Sequence, residues 1–236
     1  MEFDLAQRIS DVSIISRMAK SIADEIRNPL TGIAGTLSIL KDEVDLQNKQ
    51  DKLQMIDDCI SKIDNFIADL YLLSKPINPC FIKIDTAAFI KQVVEYHLRS
   101  SDAKYEFTDL QKDLYISADI VLLQQAVTNI LDNAIDAIAR KGEIQISVKI
   151  KSADAPDIVS IMIRDTGEGI EEKNFEKLFT PFYSTTHRGH GLGLVIALNY
   201  INFHNGKINI RSKKSKGTTV AIDIPLNTGG GQDGPR

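Results

Sequence analysis

Gln125-Ala-Val-Thr-Asn-Ile-Leu-Asp-Asn-Ala-Ile-Asp-Ala137 is the stretch on which the fold turns. It lies inside a helical pattern running from Asp119 to Arg140. Asn129 and Asn133 stand four residues apart and share one helical face. Alone, two asparagines on a helix are usually surface residues or caps. Their meaning comes from what surrounds them. Phe81 to Asp85, Leu114 to Ile116, Ile144 to Lys151, Ile158 to Arg164, Lys207 to Ser212 and Thr218 to Ile224 read as strands. Ala87 to Arg99 and Leu192 to His204 read as further helices. Strands and helices mixed in this way predict an α/β sandwich, a sheet with helices on one face.

The first third of the chain is different. Ile15, Met18, Ile22, Ile26, Pro29, Ile33, Leu37 and Leu40 recur every three or four residues, which predicts one long helix from about 4 to 42. Glu43 to Asn48 is largely polar and is read as a turn. Leu53, Ile56, Ile60, Ile63, Ile67, Leu70 and Leu73 form the apolar face of a second helix, stopping near Lys75-Pro76. Such a hairpin has more apolar surface than it can bury alone. A second copy would complete a four-helix bundle, so a homodimer is expected; the other reading packs both stripes on the rest of the same chain. The expected fold class is a helical hairpin of a dimeric four-helix bundle followed by an α/β sandwich. The domains are read as a hairpin at 1–75, a linker at 76–81, an α/β domain at 82–226 and a disordered tail at 227–236.

Composition sets limits. The 236 residues are 43% hydrophobic and 25% charged, as in ordinary globular proteins. A net charge of −4 argues against non-specific nucleic-acid binding. No apolar run approaches the roughly 20 residues of a membrane span, so no membrane contact and a cytoplasmic location are expected. Cys59 and Cys80, the only cysteines, read as reduced thiols.

Three more motifs flank the asparagine helix. Asp165-Thr-Gly-Glu-Gly-Ile170 closes a strand; its carboxylate is an acceptor, and Gly167 and Gly169 permit close backbone approach. Leu178-Phe-Thr-Pro-Phe-Tyr183 ends the aromatic run from Phe175 to Phe182. Gly189-His-Gly-Leu-Gly-Leu194 leads into a helix, whose N-terminus favours anions. Taken in this order the four motifs resemble the Bergerat ATP-binding fold shared by histidine kinases, gyrase, the Hsp90 chaperones and MutL, over roughly 82–226.

The resemblance implies ATP and Mg²⁺ as cofactors. Asn133 would offer an amide oxygen to the magnesium ion, with Asn129 as a second candidate. Asn129 stands where gyrase-like ATPases carry a catalytic glutamate, which favours the kinase branch over the hydrolase branch. Asp136 stands where kinases often carry a basic residue, leaving one phosphate contact in doubt. Asp165 would read the adenine amino group. Gly189, Gly191, Leu192, Gly193 and Leu194 would cradle the triphosphate. Thr185 to Arg188 would form a short lid; relatives often have lysine at the position of Thr186, and His187 or Arg188 could supply that charge. Thr218, in Gly217-Thr-Thr219, fits a small turn near the end of the sheet.

Ser21-Ile-Ala-Asp-Glu-Ile-Arg-Asn-Pro-Leu30 resembles the H-box of sensor histidine kinases, with one departure in seven positions. Asp24 stands where the phosphorylated histidine belongs. Glu25 matches the family's base or imidazole-orienting residue, and Asn28 the residue that positions water when a partner is dephosphorylated. Asp24 lies about 200° around the helix from Ile22 and Ile26, away from the apolar stripe; Arg27, Asn28 and Thr31 share its face. Pro29 removes one helical hydrogen bond and predicts a kink. The family transfers the γ-phosphoryl group of ATP to an imidazole nitrogen, then to an aspartate on a response-regulator receiver domain. Histidine has a neutral lone pair near pH 7, whereas a carboxylate is an anion on a shorter stem.

The expectation is therefore a kinase core that binds Mg-ATP but does not autophosphorylate. Asp24 is read as an engineered substitution in an ordinary kinase. The alternative is a natural pseudokinase, or a response-regulator phosphatase or interaction module. His97, His187, His190 and His204 all lie in the α/β half, and His204 is expected to have a structural role at a helix end.

Overall fold

A computed structural model describes residues 3–41, 45–74, 76–99, 101–138, 142–151, 157–184 and 190–226, with side chains of the first helix from Lys20 onward. The chain forms two compact units, Met1–Lys75 and Pro76–Arg236.

The first unit is a pair of helices, α1 (Phe3–Leu40) and α2 (Leu46–Ser74), packed on each other. Pro29 is accommodated inside α1. Gln47 and Asn48, which the composition assigns to a turn, already belong to α2. Asp45 begins that helix by accepting from the Gln47 backbone N–H at 2.9 Å. Ile56, Ile63 and Leu70 are half-buried. Leu46, Leu53, Ile60 and Ile67, spaced every seven residues, are 78%, 51%, 45% and 51% exposed. The apolar face of α2 is thus wider than α1 covers.

The second unit opens with β1 (Ile82–Asp85), paired antiparallel to β3 (Tyr115–Ala118). Between them lie α3 (Thr86–Leu98) and β2 (Lys104–Leu110). Asp85 caps α3 by accepting from the Ala88 N–H at 3.0 Å, so the helix begins one residue before its first apolar position. α4 (Ile120–Ile138), β4 (Glu143–Lys151), β5 (Ile158–Asp165), a 3₁₀ turn (Glu172–Lys177), α5 (Gly193–Phe203), β6 (Lys207–Ser212) and β7 (Thr218–Pro225) complete it. The main sheet runs β2-β4-β5-β7-β6, with β2 parallel to β4 and the other pairs antiparallel.

One face of this sheet is a row of buried branched side chains: Ile144, Ile146 and Val148, then Val159, Ile161 and Ile163, then Ile222 and Ile224. Leu123, Val127, Ile130, Leu131 and Ala134 of α4 are buried at helical spacing, and α4 packs on β4, β5, α3 and α5. The result is the helical hairpin plus α/β sandwich that the sequence predicts. β2 is the strand the pattern does not announce. Its sequence, Lys-Tyr-Glu-Phe-Thr-Asp-Leu, has charged residues and no fully buried position, because it is an edge strand.

Candidate functional site

In the first unit, Asp24 and Arg27 meet on the exposed side of α1, with Nη1 to Oδ1 at 3.1 Å. At 48% and 70% exposure this pair adds little stability. Its effect is local: the charge at position 24 is engaged within its own helix. Thr31 donates to the Arg27 carbonyl at 2.9 Å. Glu25 is half-buried and Asn28 exposed.

In the second unit, α4 carries Asn129, Asn133 and Ala137 in one row along its surface. At the Asn129 end, a Cβ on Gly193 would lie 3.4 Å from the Asn129 amide oxygen. The asparagine therefore abuts the first turn of α5. Its Nδ2 is buried with no hydrogen-bond partner among the described residues. At the Ala137 end, the Glu168 N–H donates to the Ala137 carbonyl at 3.2 Å. A Cβ on Gly167 would fall 2.5 Å from that same carbonyl oxygen, so only glycine fits. Asn133, exposed, lies between these two contacts. The row thus joins the glycine turn after β5 to the glycine start of α5.

Asp165 ends β5 and is 5% exposed. Its Oδ1 accepts from the backbone N–H of Gly167 at 2.8 Å and of Thr218 at 3.2 Å. Oδ2 takes neither bond. Burial raises the carboxyl above its usual range, against the pull of those donors. Gly169 has a φ of 65° and lies against the Lys213 carbonyl. Gly217 has a φ of 85°, and a Cβ there would be 2.0 Å from the Asp165 carbonyl oxygen.

Phe182, at a φ of 64°, donates its N–H to the Gly191 carbonyl at 3.2 Å. Gly191, at a φ of 69°, packs on the Tyr183 backbone. The aromatic segment and the glycine segment before α5 are thereby held together. Thr186, His187, Arg188 and Gly189 lie outside the described residues. Leu192 caps α5 with a fully buried side chain. Its side chain faces the core, so that it offers a ligand only its backbone, as a cradle of backbone N–H groups requires. Gly193 and Leu194 form the first turn of α5.

Residues 118–228 match the family model "Histidine kinase-, DNA gyrase B-, and HSP90-like ATPase", and residues 14–79 match the "His Kinase A (phospho-acceptor) domain". The chain carries the catalytic core of a sensor histidine kinase. This kinase core is 31% identical over 230 residues to sporulation kinase C of Bacillus subtilis (strain 168), covering 95% of the chain and 52% of that protein. It is 34% identical over 229 residues to sporulation kinase B of the same organism, covering 92% and 51%. The chain spans about half the length of these curated relatives. The solved structure of histidine kinase ThkA in complex with response regulator protein TrrA matches with a TM-score of 0.76 at 27% identity, covering 94% of this chain and 65% of that one. Among the described residues of the core, no helix is long and apolar enough to cross a membrane.

Two parts of the site are invisible in the sequence. Ala137 contributes only a carbonyl, which no side-chain pattern reveals. Ser212 is an ordinary strand residue until the β6–β7 register sets it opposite Thr218.

Proposed function

We propose that this core binds Mg-ATP in the second unit, pairs with a second copy through the first, and engages a response-regulator receiver domain, but does not phosphorylate itself. The observation that carries the reading is the row on α4. Asn129 meets the start of α5, Ala137 meets the turn of Gly167, and Asp165 lies beside that turn with its Oδ1 held by the Gly167 and Thr218 N–H groups. Three separated motifs converging in this way support a single nucleotide site. The base would lie toward Asp165 and Thr218, and the phosphates toward Gly191, Gly193 and the N-terminus of α5.

The donor set fits magnesium. A magnesium ion among phosphates takes few protein oxygens, and Asn133 and Asn129 supply amide oxygens of that type. The orphaned Nδ2 of Asn129 suits a phosphate oxygen. A flip of that amide interchanges its oxygen and nitrogen, so the same residue serves either ligand. Bound there, the ion would offset phosphate charge. The chain's own residues position the nucleotide and exclude water.

Asp24 sets the limit on transfer. Phosphoryl transfer depends on positioning and charge stabilisation. A carboxylate bonded to Arg27 offers the γ-phosphoryl group an anion on a short side chain. The dimer is supported by the heptad of exposed apolar residues on α2. The receiver-domain partner is supported by the likeness to ThkA, solved with its response regulator. Asp24 reads as a substitution in an ordinary kinase, because Glu25, Asn28 and the nucleotide motifs are all retained; a natural pseudokinase, or a response-regulator phosphatase or interaction module, is the second reading.

Incubation with labelled ATP tests the proposal. No acid-sensitive label should appear on the protein as it stands, and Asp24→His should recover it. Label on the unaltered protein, or silence from Asp24→His despite nucleotide binding, refutes the role given to position 24. Melting temperature with and without adenine nucleotide and Mg²⁺ tests the site itself; no shift at saturating nucleotide removes it.

A further inference from the structure

We infer that Ser212 is a positioning residue that fixes Asp165 and Thr218 as a pair of hydrogen-bond acceptors, so that the nucleotide site selects a 6-amino purine over a 6-oxo purine. This rests on the nucleotide-site reading above and deepens it.

Saturation of one hydroxyl sets the pattern. A serine hydroxyl has one proton to give and two lone pairs to accept with. Ser212 is the last residue of β6, opposite Thr218, the first of β7. Its Oγ has three partners. The Ile170 N–H donates to it at 2.8 Å. The Gly217 carbonyl, which can only accept, lies 2.9 Å away and takes the hydroxyl proton. The Thr218 hydroxyl is also 2.9 Å away. With its one proton committed to Gly217, Ser212 can only accept from Thr218. The threonine proton therefore points at Ser212, and the lone pairs of Thr218 Oγ1 are what remains for a ligand.

Asp165 is set by the same residues. Its Oδ1 is held by the backbone N–H groups of Gly167 and Thr218, leaving Oδ2 as a second acceptor. The β6–β7 turn is also tied to the loop after β5, because the Ser215 N–H donates to the Glu168 carbonyl at 2.6 Å and Ser212 holds Ile170. Two acceptors beside one base edge complement an exocyclic amino group, which carries two N–H donors. They repel a 6-oxo group, which carries only lone pairs. A buried acceptor left facing an acceptor is costly, so discrimination of this kind is strong.

Ser212→Ala frees the Thr218 proton to turn outward, while the Ser215–Glu168 backbone bond still ties the loop after β5. The test measures binding of three Mg²⁺-nucleotides to the full chain: ATP, inosine triphosphate, and purine riboside triphosphate, which lacks the 6-amino group. The expected result is roughly tenfold weaker ATP binding, the scale of one hydrogen bond. Purine riboside triphosphate should be unchanged, and the preference for ATP over inosine triphosphate should narrow. Ser212→Thr, which keeps the hydroxyl on a β-favouring side chain, should restore ATP binding to within about twofold. If Ser212→Ala does not fold, Ser212→Cys is judged by the same criterion. An equal loss for ATP and purine riboside triphosphate, or no loss for either, overturns the inference. If the unaltered protein binds ATP and Asp165→Asn loses it while Ser212→Ala does not, only the inference fails. If the unaltered protein binds none of the three, the nucleotide site fails with it.

Discussion

Replacing Asp119 by alanine should loosen the N-terminal edge of the α/β unit. The carboxylate is 9% exposed and serves three backbone donors from two parts of the chain. Oδ1 accepts from Val121 at 2.9 Å and Leu122 at 3.1 Å, capping α4. Oδ2 accepts from Cys80 at 2.7 Å, in the segment just before β1. Next to it, the Asp119 N–H donates to Nε2 of the buried His204, whose Nδ1 donates to the Tyr200 carbonyl at 2.7 Å. Phe81 packs edge-on against the same imidazole, with ring centroids 5.3 Å apart. Loss of a helix cap costs about 0.5–2 kcal/mol. Loss of a hydrogen bond to a charged group costs about 1.5–3 kcal/mol. The combined expectation for Asp119→Ala is roughly 2–4 kcal/mol, or about 4–16 °C in Tm for a unit of this size.

The effect should depend on pH. Burial pushes the Asp119 carboxyl up, but the backbone donors of Cys80, Leu122 and Val121, with His204 nearby, bring it below its usual value. A group whose folded pKa is depressed stabilises fully above its unfolded pKa, about 3.9, and loses that contribution as pH falls through the folded value. The gap between the two proteins should be constant from neutral pH to about 5 and narrow below about 4. Thermal melts across that range, with amide hydrogen exchange at Cys80, Val121 and Leu122, are the assay. A change under about 0.5 kcal/mol, the low end for a lost cap, with unaltered exchange at those three amides would falsify this account of Asp119.

Gly217→Ala should destabilise the α/β unit by more than about 3 kcal/mol, because the new methyl meets the Asp165 carbonyl at a φ of 85°; its melting temperature and adenine-nucleotide affinity should fall together. Leu53→Lys with Ile60→Lys removes two of the exposed heptad residues from each copy. At about 1.5–3 kcal/mol per buried side chain, this should weaken self-association by about 10⁴-fold or more, read by sedimentation. The His97–Asp132 pair, at 2.7 Å between α3 and α4, raises the imidazole pKa through that hydrogen bond, with burial opposing and the Asp132 charge adding. A raised folded pKa stabilises fully below the unfolded value of 6.5 and is lost as pH rises through the folded one. Asp132 is 59% exposed, so Asp132→Asn should cost under about 1 kcal/mol at about pH 5.5 and nothing at about pH 9; a pH-independent cost refutes the assignment.

Much of this architecture was legible in the chain itself. Apolar spacing alone produced the two-helix hairpin and the helix of Asn129 and Asn133, because burial of one face imposes its period on the sequence. Glycines 167 and 169 marked close backbone approaches, and a Cβ at either would meet backbone atoms of another segment. The edge strand β2 was hidden because an edge carries charge rather than alternation. The burial of Leu192 was hidden because a residue at a helix start shows no periodicity that assigns its side chain to the core.

Sequence determined which chemical groups are available: a carboxylate, two amides, glycine turns, and an aspartate in the middle of the first helix. Tertiary structure decided which of them act on each other. The register of β6 with β7 put Ser212 against Thr218, and the packing of α4 put Asn129 under α5 and Ala137 under Gly167. Hydrogen-bond direction is a property of partners, and partners far apart in the chain meet only through the fold.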